Sequence, residues 1–192
     1  MINALIEEFP TAVEIDGEAA PINTDFRTCI RAILAFEAPD LASMEKIAVM
    51  LELLYPEKPS NIDAAITQGL KFLNGGESSD DDDDPGYKLY SFSKDASLIF
   101  SAFRQTHGID LEKEDMHWWK FLALFSDLGA DTAFCNLVGL RKRVKTGRAT
   151  KEERALAREM GDLFDVPEID ARTLEDREKE AEFMRLIGAA NE

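Results

Sequence analysis

The chain has 192 residues, 45% of them apolar, which allows one ordinary domain or two small ones with a real core. Its 38 acidic and 22 basic residues leave a formal net charge of −16, a field that repels nucleic acid and anionic lipid and points to proteins as partners. Cys29 and Cys135 cannot build a disulfide framework and fit free buried thiols in a reducing compartment. The opening "MINALIEEF" lacks the basic and apolar stretches of a signal peptide, and no run approaches the length of a membrane span.

Taken in chain order, "TAVEI" alternates, Asp16-Gly17 is a tight-turn signal and "EAAPI" returns as a second strand, with Pro21 at an edge or strand end. Asn23, Thr24 or Asp25 can cap the helix "FRTCIRAILAF", whose stripe is Phe26, Cys29, Ile30, Ile33 and Leu34. Pro39 stops it. "LASMEKIAVMLELLY" is the next helix, ended by Pro56, and "SNIDAAITQGLKFL" the third, capped near Ser60 and released at Asn74-Gly75-Gly76. Residues 75–86, "GGESSDDDDDPG", read as a solvated linker or loop insertion, because nothing in them offsets the entropy of ordering. The run lacks the alternating ligands and distal glutamate of a calcium loop.

The second half begins with "KLYSFSKDASLIFSAFRQTHG", carrying Phe92, Ala96, Ile99, Phe100 and Phe103 at helical spacing. Ser91 or Ser93 is the expected cap, Asp95 suits the positive end of the dipole, and Gly108 sits where a left-handed residue ends the helix. In "DMHWWKFLALFSDL", Trp118, Phe121, Leu122, Phe125 and Leu128 share one helical face, and Trp119, Ala123 and Ser126 lie to one side. That width fits a central helix touched on two sides, or a half-buried Trp119 at an interface, where tryptophan is favoured. Gly129 ends this helix and Asp131 can cap the next, "TAFCNLVGLRKRV", with Phe134, Leu137 and Val138 inward. The basic cluster at 141–148 reads as its charged end.

Thr150 and Glu153 form a capping-box pattern before a helix with the stripe Leu156, Met160, Leu163 and Phe164. After Pro167, Thr173 can cap "LEDREKEAEFMRLIG", with a thin apolar edge at Leu174, Ala181, Met184 and Ile187. Such a helix is a loosely docked tail or a segment awaiting a partner helix.

Catalytic constellations are missing from the sequence. Neither His107 nor His117 belongs to a metal spacing, there is no CxxC or nucleophile elbow, and "LNGGESS" lacks the lysine of a phosphate loop. No enzyme activity, metal or cofactor is expected. The expected architecture is mainly α, a helical bundle with a small N-terminal β-hairpin. Its parts are a hairpin with three helices over 1–74, the acidic stretch 75–86, an aromatic-rich helical segment over 87–146 and a charged helical tail over 147–192. The two helical segments are subdomains or share one core. Trp119, Lys120, Met184 and Ile187 are the candidate interface residues.

Two stretches together resemble the bacteriophage gp-fifteen family: "VEIDGEAAPINTDFRTCI", with Asn23, Thr24, Asp25 and Phe26, and "LIFSAFRQTHGIDLEKEDMHWWKFLALFSDLGADTAF", with His117, Trp118 and Phe121. The match covers about residues 13–36 and 87–143, and neither the aspartate run nor the tail carries a signature. The resemblance implies a siphophage tail assembly chaperone acting in the host cytoplasm. It would coat the apolar helices of the tape measure protein until tail tube protein replaces it, and would be absent from the mature virion. Nucleic acid and membrane are not expected partners, and self-association stays open. Two other readings stand beside it: a structural tail or connector component retained in the particle, and an acidic mimic of DNA that inhibits a host protein.

Overall fold

The computed structural model describes residues 3–77 and 87–166. The aspartate run at 80–84 and the helix expected after Thr173, with Met184 and Ile187, lie outside the described residues.

Strands β1 (Ala12–Ile15) and β2 (Glu18–Pro21) pair antiparallel, with Ala12 opposite Pro21 and Ile15 opposite Glu18. Asp16 and Gly17 take φ of 53° and 82°, the left-handed pair that lets a two-residue turn follow the strands' twist. Three helices follow: α1 (Phe26–Glu37), α2 (Ser43–Leu54) and α3 (Ile62–Leu73). Asp25 caps α1 by accepting the Thr28 N–H at 3.0 Å. Asn61, one residue beyond the expected Ser60, caps α3 by accepting the Ala64 N–H at 3.1 Å.

The remaining helices are α4 (Ala96–His107), α5 (Trp118–Ser126), α6 (Ala133–Lys145) and α7 (Lys151–Met160), closed by a short 3-10 turn, Gly161–Leu163. The protein is mainly helical with one small hairpin, as its periodicities predict. Gly108 ends α4 at φ 69°, and the Thr150–Glu153 box opens α7 with both reciprocal bonds made, at 3.1 and 2.9 Å.

Several local expectations are corrected. Helix α4 starts at Ala96, so Phe92 lies in the turn before it, and Asp95 rather than a serine holds the cap position. Thr132, not Asp131, caps α6 by accepting the Cys135 N–H. Helix α5 ends at Ser126, before Gly129. Leu156 and Leu163 face solvent, because Ala157 is the residue of α7 that turns inward. Cys29 is buried, and burial pushes its thiol up to about 12, whereas Cys135 is only half-buried.

One core cluster draws on both sides of the acidic stretch, from Ile15 and Phe26 through Phe72 to Phe103, Phe121 and Phe134. Its centre is Phe121, fully buried on α5, the helix that packs against both α1 and α4. The ring stacks on Phe103 at 4.8 Å, Phe26 at 5.1 Å and Trp118 at 5.4 Å between centroids. Such contacts add to the roughly 1.5–3 kcal/mol that burial of a phenylalanine side chain contributes.

Two polar devices fasten the fold, the first across the acidic stretch and the second within the part that follows it. A short antiparallel bridge joins Asp25 to His117: the Phe26 N–H donates to Met116 O at 3.1 Å and the Trp118 N–H to Thr24 O at 2.7 Å. The stretches "NTDF" and "MHWW", ninety residues apart in the chain, are therefore hydrogen-bonded neighbours. The second device is Arg141. Instead of ending a solvated basic cluster, it is completely buried and spends all five N–H groups. Its fork grips Asp95 at 2.6 and 3.0 Å, and it donates to Leu89 O, Leu163 O and Phe164 O at 3.1, 2.7 and 2.8 Å. A guanidinium suits such a site because its planar fork meets several fixed acceptors at once.

Candidate functional site

An apolar groove of about 790 Å³ opens among the described residues. Five parts of the chain build it. Helix α5 supplies Trp118, Trp119, Leu122, Ala123 and Ser126. The C-terminal end of α3 supplies Leu70 and Leu73, and the end of α1 supplies Ile33, Phe36 and Glu37. The extended stretch Tyr87–Tyr90, with Phe92 beyond it, forms the remaining wall. Phe9, from the N-terminal segment, closes one end.

The tryptophans hold α3 as well as lining the groove. The last four carbonyls of a helix have no partner within it. Here Lys71 O accepts from Gly76 N–H, and Phe72 O from Gly75 N–H, the pairing of a Schellman turn. The indole N–H of Trp119 also donates to Phe72 O at 2.9 Å, and that of Trp118 to Leu73 O at 2.9 Å. Gly75 and Gly76 have φ of 72° and 90°, and a Cβ on Gly76 would lie 2.8 Å from the Trp119 ring. Only glycine permits this turn to close over the indole. Trp118 is 1% exposed and joins the core, whereas Trp119 is half-buried and stacked on Phe72 at 5.7 Å.

His117 sets the start of α5. Its Nδ1 accepts the Trp119 N–H at 3.0 Å and its Nε2 lies 3.0 Å from Pro10 O, so the neutral ring carries its proton on Nε2 and donates there. The ring stacks on Phe9 at 5.1 Å, which fixes the N-terminal segment against the end of the groove. Burial holds the imidazole below its usual value, with the bond to Pro10 opposing.

The groove's charged residues are few. Glu37, on its floor, accepts from Ser91 Oγ, Phe92 N–H and Ser93 N–H at 2.8, 3.2 and 3.0 Å, with Lys88 3.8 Å away. Burial pushes the Lys88 ammonium below its usual value and Glu37 opposes that shift. Burial also raises the Tyr90 phenol. Leu70 on the rim is 41% exposed, so the apolar lining is open to water. Beyond Phe9, Leu5 and Ile6 are exposed as well, at 93% and 80%.

Of the sequence candidates, Trp119 is in the groove. Lys120 is exposed on α5 but does not line it. Asn23, Thr24, Asp25 and Phe26 form the capped start of α1 against His117, behind the groove. Met184 and Ile187 lie outside the described residues. Sequence reasoning missed Leu70, Leu122, Tyr90 and Phe9 as walls and Arg141 as a clamp. For Arg141 a signal existed: it falls on the Phe134–Leu137–Val138 stripe, seven residues after Phe134, and so turns inward. No cluster of His, Cys, Asp and Glu among the described residues could hold a metal ion, and no described helix is long and apolar enough to cross a membrane.

Fold and groove define a class: a small, mainly helical domain that carries a preformed apolar groove beside its central helix. Within that class the chain belongs to the family described as Bacteriophage Gp15 protein, which matches residues 5–166. Membership associates it with phage tail morphogenesis. No curated protein and no solved structure matches the chain.

Proposed function

We propose that the protein is a tail assembly chaperone that holds apolar helical segments of the tape measure protein in the groove beside Trp119. The observation that carries this reading is an apolar groove of about 790 Å³, open to solvent and edged by a half-buried tryptophan. An amphipathic helix buries anchors at spacings of three and four in such a groove, and tryptophan is enriched where a few contacts dominate binding. The net charge of −16 keeps a complex of chaperone and apolar client in solution. Release follows when tail tube protein takes over the client, so the chain works in the host cytoplasm and leaves before the virion is complete.

The test is co-expression with the tape measure protein of the same gene cluster, followed by sedimentation and co-purification. The wild-type chain is expected to bring the client into the soluble fraction. Leu70→Glu and Ala123→Glu place charge on the groove wall at exposed positions, and both are expected to fold normally and lose the client. A client whose solubility is indifferent to the wild-type chain, or recovery of this chain in purified particles, overturns the proposal.

A further inference from the structure

We propose that the groove selects apolar helices that also carry a side-chain carboxylate, and that Lys88 is the residue that selects them. The inference rests on the reading of the groove as a site for apolar helices, and names the chemistry of the segments it takes.

The chain as a whole is acidic, but one wall of the groove is not. Lys88 lines that wall directly. Lys46, on α2, donates to the carbonyl of the lining residue Phe36 at 3.1 Å. The Lys145 ammonium, on α6, lies 5.8 Å from the ring centre of Tyr87, which also lines the groove. Three ammonium groups thus stand along the wall formed by the end of α1 and Tyr87–Tyr90. Glu37 is the lining carboxylate there, and its oxygens are taken by Ser91 Oγ and the N–H groups of Phe92 and Ser93. Glu77, the remaining charged lining residue, follows the turn that ends α3.

The Lys88 ammonium is the group left over. Glu37, its counter-charge among the described residues, is 3.8 Å away, longer than a hydrogen bond. The charges that act on Lys88 are Glu37 and Lys46, which oppose each other. Its side chain is 36% exposed, so water solvates it in the open groove. A helix laid in the groove strips that water, and a desolvated ammonium costs free energy unless an acceptor replaces it. An Asp or Glu on the flank of the helix supplies acceptor and opposite charge in one contact, stronger than a neutral side chain offers. A purely apolar helix leaves the ammonium stranded. Repulsion from the net charge of −16 is screened beyond about 8 Å at physiological salt, whereas a direct contact with Lys88 is not.

Two synthetic amphipathic helices test this, with the same leucines at spacings of three and four and with flanking positions that are all Glu in one and all Gln in the other. Both are titrated against the full chain by fluorescence anisotropy at physiological salt. The wild-type chain is expected to bind the Glu helix about tenfold tighter than the Gln helix. Lys88→Gln is expected to keep the helical circular dichroism of the wild type and to bring the two affinities together, and Lys88→Glu to reverse their order. Equal affinities for the wild-type chain, or a preference that Lys88→Gln leaves intact, overturn the inference while the groove reading stands. Ala123→Glu, on the opposite helix of the groove, is expected to abolish binding of both helices. Binding that survives Ala123→Glu, or no binding of either helix to the wild-type chain, overturns the groove reading and this inference with it.

Discussion

Arg141→Met removes the clamp on which the fold and the groove's exit wall both depend. Arg141 and Asp95 have side chains with no solvent exposure, and five short bonds satisfy the guanidinium. Methionine fills much of the volume but leaves the Asp95 carboxylate buried with the Ser91 N–H as its remaining donor, and strands the carbonyls of Leu89, Leu163 and Phe164. Breaking a buried pair from one side costs about 3–5 kcal/mol, and that range is the expected loss. Arg141→Lys keeps the charge but offers three donors where five are used, and is expected to lose somewhat less. Urea unfolding followed by tryptophan fluorescence gives both values. The double variant Asp95→Leu/Arg141→Met is expected to be more stable than Arg141→Met, because it removes the orphaned carboxylate. A loss below about 1 kcal/mol for Arg141→Met, or a double variant worse than that single one, would refute the reasoning.

Two further outcomes follow from the groove's construction. Gly76→Ala forces a side chain to φ 90° with its Cβ 2.8 Å from the Trp119 ring. A cost of roughly 1–3 kcal/mol is expected, together with a changed Trp119 emission, and unchanged stability and emission would contradict the turn. His117 sits folded with its pKa below the ordinary 6.5, so the unfolded chain takes up the proton first. Its stabilisation is complete above pH 6.5 and is lost as pH falls below that value toward the folded pKa. Urea midpoints between pH 7.5 and 5.5 should therefore fall more steeply for wild type than for His117→Asn, which retains a capping side chain without the titration. Parallel slopes would remove His117 from the account.

Local sequence rules reached a good part of this molecule. The Asp16-Gly17 turn, the Asp25 cap, the Gly108 terminus and the Thr150–Glu153 box all act between residues a few positions apart, so the sequence carries them directly. The rules failed where a distant partner decided the outcome. Asp95 replaces a serine at the start of α4 because Arg141, on another helix, holds it. Leu156 and Leu163 face solvent because, among the described residues, no element covers that side of α7. The tail residues Met184 and Ile187 lie outside the described residues.

What the sequence by itself determined is the helical class, the hairpin, the acidic charge and the apolar width of "HWWKFLALF". It also carried the family resemblance, in two stretches that read as separate signatures. Only the tertiary structure decided that those stretches bond to each other, that Arg141 is a buried clamp, and that both indole N–H groups finish α3. The groove belongs to the same category, since its walls come from five segments and no one of them encodes it. The physical reason is range: caps and turns are satisfied within a few residues, whereas buried polar groups and concave surfaces are satisfied only by what the rest of the chain brings to them.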